Sequence, residues 1–165
     1  MTKALVIGRF QPFHIGHLSG IEFVLNRVDK VIIGIGSSQE SNTRENPFSA
    51  DERKSMIERS LDYDNSRYDI VYIPDINDDV RWVGHVRKIV PEFDHVYTNG
   101  ENEMRLFKDA GCDIKNIPFY NKSTYNATNI RERMRVGRPW KHLVPQGTAK
   151  TIDEVDGARR VKELG

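Results

Sequence analysis

The 165-residue chain has a single cysteine, Cys112, which leaves no partner for an internal disulfide. The fold must therefore be held by its core, and the chain fits a reducing, cytoplasmic setting. Neither sign of charge prevails. There are 25 Lys and Arg against 24 Asp and Glu, a net of +1, so nothing points to a protein that coats a polyanion or lies on a membrane surface. No apolar run approaches the roughly 20 residues that span a bilayer. The opening run from Met1 to Gly8 could suggest a signal peptide, but it is short and Arg9 ends it. It reads better as a first buried strand. Internal repeats, low-complexity segments and long linkers are also lacking.

What remains is an ordinary globular balance, 38% hydrophobic and 30% charged, enough for one domain spanning residues 1–165 with a real core. Short β-rich runs fall at 3–8, 30–36, 68–73, 94–98 and 113–117. The first two are apolar almost throughout, as suits strands covered on both faces of a parallel sheet. Helices are predicted between them. Residues 17–27 set Leu18, Ile21, Leu25 and Val28 on one stripe. Residues 50–61 follow a capping-box signature, Ser49-Ala50-Asp51-Glu52, with Met56, Ile57 and Leu61 on the apolar face. Further helices are expected at 80–90, 100–110 and 127–136, and an amphipathic tail at 150–164. Alternation of strands and helices predicts an α/β fold: one doubly wound parallel sheet of about five strands with a C-terminal helical tail. Ligands of such sheets bind beyond the carboxyl ends of the strands.

The strongest signal lies at such an end. Gly8-Arg9-Phe10-Gln11-Pro12-Phe13-His14-Ile15-Gly16-His17 follows the first strand and opens the first helix. Gly8 allows a tight exit, and Pro12 stiffens the loop. Gly16 leaves room where a helix N-terminus can meet an anion. Three-residue spacing brings His14 and His17 toward one face, near Arg9. A zinc site would need a third or fourth ligand, and no Cys or further His cluster stands nearby. A phosphate site is the better reading.

Other segments are less decisive. Gly34-Ile35-Gly36-Ser37-Ser38 lacks the third glycine of a dehydrogenase fingerprint, and a strand-exit turn explains it as well as a binding loop does. Arg44 lies in a polar loop where most arginines are simply solvated. Asp75 and Trp82 flank the loop after the third strand, where Trp82 suits either core packing or a stacking platform. Asn126 or Thr128 could cap the helix that carries Ile130 and Arg131. That helix is basic, but a nucleic-acid stripe needs more charge than this chain has.

His14-Ile15-Gly16-His17 resembles the signature of the HxGH nucleotidyltransferases, shared with class I aminoacyl-tRNA synthetases. The longer string from Gly8 to His17 is similar to that of the archaeal-type nicotinamide-nucleotide adenylyltransferases. The likeness continues through residues 34–39, 46–53, Trp82-Val83-Gly84-His85 and Thr128-Asn129-Ile130-Arg131, nearly the whole chain. It implies a Rossmann-like nucleotidyltransferase fold that joins ATP to nicotinamide mononucleotide, giving NAD and pyrophosphate. It implies catalytic roles for Arg9, His14 and His17. It assigns ATP binding to Gly8, Arg9, Phe10, His14, Gly16, His17, Thr128, Ile130 and Arg131, and mononucleotide binding to Ser37, Ser38, Arg44, Asp75 and Trp82. Asn126 and Ala127 stand where the family carries small residues, and Tyr97-Thr98-Asn99-Gly100 reorders its polar loop. The expected metal is Mg²⁺ or another divalent cation that arrives with ATP, with no protein ligand set. The expected assembly is a homo-oligomer, the hexamer being common in the family, without nucleic acid or membrane partners. The rival readings are a phosphopantetheine or FMN adenylyltransferase, and a nucleotide sensor that does no chemistry. A tRNA synthetase is disfavoured by the length and by the missing Lys-Met-Ser-Lys-Ser loop.

Overall fold

Runs without polar alternation become the inner strands. The computed structural model describes every residue from Met1 to Gly165. Its strands are β1 (Lys3–Gly8), β2 (Lys30–Ile35), β3 (Tyr68–Tyr72), β4 (His95–Thr98) and β5 (Ile114–Asn116). They form one sheet in the order β3-β2-β1-β4-β5, parallel at every pairing. β1 is central: Lys3 to Gly8 pair in step with Lys30 to Ile35, and Ala4 and Leu5 pair with His95 and Val96 on the other side. Burial follows this placement. Ala4, Leu5, Val31, Ile32 and Ile33 are fully buried, whereas edge strand β3 is only half-buried throughout. The order reverses between β1 and β4, so the turn after β1 leaves the sheet at a topological switch point.

Seven helices accompany the strands: α1 (Ile15–Leu25), α2 (Ala50–Ser60), α3 (Asp79–Ile89), α4 (Glu101–Asp109), α5 (Ala127–Arg135), α6 (Gln146–Glu154) and α7 (Gly157–Leu164). No helix is long and apolar enough to cross a membrane. The chain divides into two compact units. One comprises Met1–Gly8, Gly20–Ser37 and Tyr63–Phe119, and the other Arg9–Ser19, Ser38–Asp62 and Tyr120–Gly165. The first holds the sheet and a core of Leu5, Ile32, Ile73, Val83, Val86, Val90, Val96 and Phe107. In the second, α6 lies so close to α2 that a Cβ on Gly147 would come within 2.5 Å of the Arg59 carbonyl carbon.

Two helix expectations need correction. α1 starts at Ile15 rather than 17, and its buried residues are Gly20, Ile21, Val24 and Leu25. Its inward stripe therefore turns on Val24 rather than Leu18, and Val28, though buried, lies past the helix end. The tail is two helices, not one. Asp156 has φ 52°, a left-handed conformation that breaks the helix and that Asp tolerates better than most residues. The break brings Gly157 so near Phe48 that a Cβ there would lie 2.8 Å from the ring.

Candidate active site

The loop from Arg9 to His14 carries the strongest sequence signal, and the structure shows what fixes it. The left-handed residue is Phe10, at φ 55°, rather than a glycine. Such a conformation is costly for a bulky residue. Ring packing offsets the cost: Phe10 meets Phe13 edge-on at 5.6 Å and His17 at 4.9 Å. The loop backbone is then pinned by side chains of the same unit. Gln11 donates to the Phe48 carbonyl and accepts from the Phe48 N–H, both at 2.9 Å. Arg53, fully buried, donates to the carbonyls of Arg9 (2.9 Å), Ser49 (3.1 Å) and Glu40 (3.2 Å). Arg131 donates to the Gln11 carbonyl at 2.8 Å. The carbonyls of Arg9, Glu40 and Gln11, which lie outside the helices and strands, thus find charged donors, and that of Ser49 gains one beside the Arg53 N–H.

His14 and His17 close the first turn of α1 as a capping box made of imidazoles. The His14 Nδ1 accepts the His17 N–H, and the His17 Nδ1 accepts the His14 N–H, each at 3.2 Å. The rings stack 3.5 Å apart. An Nδ1 that accepts carries no proton, so both rings are held as the Nε2–H tautomer. Burial pushes the His14 pKa down to about 4. His17 is held well below its ordinary range by burial and then by His14. Both rings are therefore neutral hydrogen-bond donors at pH 7, not standing cations. Gly16 makes room for this pair: a Cβ there would lie 2.9 Å from His14 Cε1 and 3.3 Å from Tyr125 Cβ.

Guanidinium groups gather around the same loop. Arg9 and Arg44 are exposed, while Arg131 is 3% exposed. Burial, and then the positive charges of Arg135, Arg9 and Arg44, hold the Arg131 pKa below its ordinary value, while Glu45 supports it. The residues expected alongside Arg131 differ in accessibility. Thr128 is exposed on the first turn of α5 and Ile130 is fully buried. Asn126 is the cap of α5: its Oδ1 accepts from Asn129 N–H at 2.7 Å and its Nδ2 donates to the Lys122 carbonyl at 3.0 Å. This gives Asn126, the residue that departs from the family's pattern, a local structural reason.

The mononucleotide candidates divide between the units. Ser38 and Arg44 belong with the histidine loop, and Ser37, Asp75 and Trp82, like Gly8, with the sheet. Ser37 turns the chain after β2 at φ 46°. Gly34 is a packing glycine, since a Cβ would come within 2.5 Å of Ile73 Cδ1. Trp82, half-buried, packs on the apolar core and lies 5.6 Å from the His85 ring. His85 Nε2 is in turn 2.8 Å from the Pro74 carbonyl. Sequence reasoning assigned nothing to Arg53, Glu45 or Glu103. The first two fall inside polar motifs whose charge reads as solvated. Burial pushes the Glu103 carboxyl up to about 7, against a hydrogen bond with Thr98.

Residues 5–133 match the family described as cytidylyltransferase-like. The chain is 44% identical over 162 residues to a nicotinamide-nucleotide adenylyltransferase of Methanococcus aeolicus, covering 98% of this chain and 94% of that one. It is 44% identical over 168 residues to the enzyme of that name from Archaeoglobus fulgidus, covering 98% and 97%. Among solved structures, a bifunctional NMN adenylyltransferase/ADP ribose pyrophosphatase of Francisella tularensis, complexed with AMP and a manganese ion, superposes with a TM-score of 0.83 at 27% identity. The match covers 99% of this chain and 51% of that one, so this chain spans about half of that protein.

Proposed function

The chain belongs to the nicotinamide-nucleotide adenylyltransferases of the cytidylyltransferase-like family, and we infer from its site how it transfers AMP from ATP to nicotinamide mononucleotide, giving NAD and pyrophosphate. An oxygen of the mononucleotide's 5′-phosphate attacks the α-phosphorus of ATP. The bond from that phosphorus to the bridging oxygen breaks, and pyrophosphate leaves with the electron pair. The attacking group is already an anion, so no side chain need take a proton or become covalently attached. Catalysis is then positioning and charge stabilisation.

The observation that carries this reading is the reciprocal lock of His14 and His17, which leaves two Nε2–H donors on the loop that begins at Arg9. These donors would bind the α-phosphoryl oxygens, and Arg9 would offset the charge that grows on the leaving pyrophosphate. Gly8 and Phe10 would shape the loop beneath. Thr128 and Arg131 would hold the β- and γ-phosphates. Ser37, Ser38, Arg44 and Asp75 would hold the mononucleotide, with the Trp82 indole against its pyridinium ring.

No group of three or more His, Cys, Asp or Glu side chains converges in the chain. With Nδ1 taken by the cap, each imidazole presents Nε2–H, and that N–H, like the guanidinium groups, suits an anion rather than a cation. Mg²⁺ would be carried by phosphate oxygens and water, adding charge neutralisation there. We also infer a cytoplasmic homo-oligomer, with the hexamer the first form to test by analytical ultracentrifugation. Exposed Tyr120 and Val136 offer apolar surface for it.

The test is a product assay with ATP and a panel of acceptors. NAD and pyrophosphate are expected from nicotinamide mononucleotide, and only with a divalent cation present. Faster turnover of FMN or phosphopantetheine would overturn the acceptor. Binding of both nucleotides without pyrophosphate release would make the protein a sensor, and full activity in excess chelator would remove the metal.

A further inference from the structure

Glu45 is the one acidic partner that Arg131 has. Its carboxylate lies 3.5 Å from Arg131 Nη2 and 3.8 Å from Arg44 Nε. The two ends of this contact differ sharply. The Arg131 side chain is 4% exposed, whereas the Glu45 side chain is 65% exposed. Around Arg131 the other charges that act on it are Arg135, Arg9 and Arg44, all positive. Arg135 has its own acid, Glu132 at 3.3 Å, and donates to the Arg44 carbonyl at 3.0 Å. Arg131 Nε is buried without a hydrogen-bond partner. A guanidinium that is almost enclosed is thus partly neutralised by one solvent-facing carboxylate. An ion pair with one exposed member holds weakly. A ligand with several negative oxygens would outcompete it.

We propose that Glu45 is an internal stand-in for phosphate, pairing Arg131 and Arg44 while the site is empty and yielding them to the polyphosphate of the substrate. The proposal rests on the reading above that these arginines meet phosphate. Its consequence is directional. Without ligand, Glu45 keeps mutually repelling guanidinium groups together on the loop. After transfer, it competes with pyrophosphate for the same donors and so favours release.

The probe is inorganic pyrophosphate, measured by calorimetry on the full chain and as a product inhibitor. Glu45→Gln should bind pyrophosphate about two- to fivefold more tightly, the range expected for a partly exposed ion pair. KM for ATP should fall with it. Arg131→Gln should weaken pyrophosphate binding, and in that background Glu45→Gln should bring no further gain. If Arg131→Gln does not fold, as loss of its bond to the Gln11 carbonyl could cause, Arg44→Gln, at the exposed arginine of the pair, takes its place in the cycle. A gain from Glu45→Gln that persists without the paired guanidinium would be a general charge effect and would overturn the proposal. Unchanged or weaker binding by Glu45→Gln, with Arg131→Gln still weakened, overturns the role of Glu45 and leaves the phosphate role of Arg131 standing. Unchanged binding by the Arg131 variant removes both.

Discussion

His14 and His17 accept each other's backbone N–H at 3.2 Å, and their rings stack at 3.5 Å. The reciprocal pattern is the one Ser49 and Glu52 make at the start of α2, built at α1 from two imidazoles. Nδ1 of each ring closes the helix, and Nε2 takes no part in the cap. On the function proposed above the same residues carry a structural and a catalytic duty, which suitable substitutions can separate.

His17→Asn should keep an acceptor near the Nδ1 position and lose the Nε2–H donor. A loss of roughly 10²–10³ in kcat is expected, as for other transition-state donors, with a melting temperature lowered only by the lost ring packing. His17→Ala should lose both duties. Both variants remove a ring packed against Phe10 and Phe13, and His17→Ala alone also leaves the His14 N–H without its acceptor, so it should melt lower than His17→Asn. Normal turnover in His17→Asn would end the donor role.

The pH dependence of stability has two opposed parts. His14 falls from 6.5 to about 4 on burial, so the unfolded chain takes up a proton that the folded one refuses. That contribution is complete above pH 6.5 and is lost as pH falls toward 4. Glu103 rises from 4.5 to about 7 on burial, so the folded chain keeps a proton that the unfolded one releases. Its contribution is complete below pH 4.5 and is lost as pH rises through 7. Each shift corresponds to about 3 kcal/mol, and across the shared window they largely cancel. Glu103→Gln should therefore raise the melting temperature at pH 8, and His14→Asn should raise it at pH 5. Melting curves at both pH values check this; no gain for Glu103→Gln at pH 8 would contradict the buried-carboxyl account.

Gln11→Ala should destabilise the loop without touching a substrate-facing group. It strips the Phe48 N–H and carbonyl of their partner at once. Leaving two buried backbone groups unpaired costs about 2–4 kcal/mol. Chemical denaturation should show the loss. A variant within about 0.5 kcal/mol of wild type would mean that water replaces the amide.

Much of this was legible in the sequence, for identifiable reasons. Unbroken apolar runs gave β1 and β2, and Ser49 with Glu52 gave the start of α2, because local chemistry alone decides those features. The histidine spacing gave convergence of the rings. It did not give their orientation, because a capping box of two imidazoles has no familiar signature. Arg53 and Glu45 were opaque for another reason. Besides the Ser49 carbonyl, Arg53 reaches backbone carbonyls 13 and 44 residues away; besides Arg44, Glu45 meets an arginine 86 residues away, and nothing local marks a long-range contact. The helix break at Asp156 was likewise hidden, because it serves the close approach of Gly157 to Phe48.

Trp82 tests the assignment of the mononucleotide most directly. It is half-buried, set against the apolar core on one side and near the His85 ring. Packing explains part of the side chain and leaves the rest accessible. Trp82→Ala should raise KM for nicotinamide mononucleotide far more than KM for ATP. Removing an aromatic platform under a base costs about 1–3 kcal/mol, or roughly 5- to 150-fold in affinity. Trp82→Phe should recover much of the loss, because a smaller aromatic face remains. If the residue were core alone, Trp82→Ala would instead cost about 3–5 kcal/mol of stability, and both substrates would suffer together. Melting temperatures measured beside separate KM values tell these apart. A large drop in melting temperature with no selective loss for the mononucleotide would assign Trp82 to the core and leave the pyridinium ring without its platform.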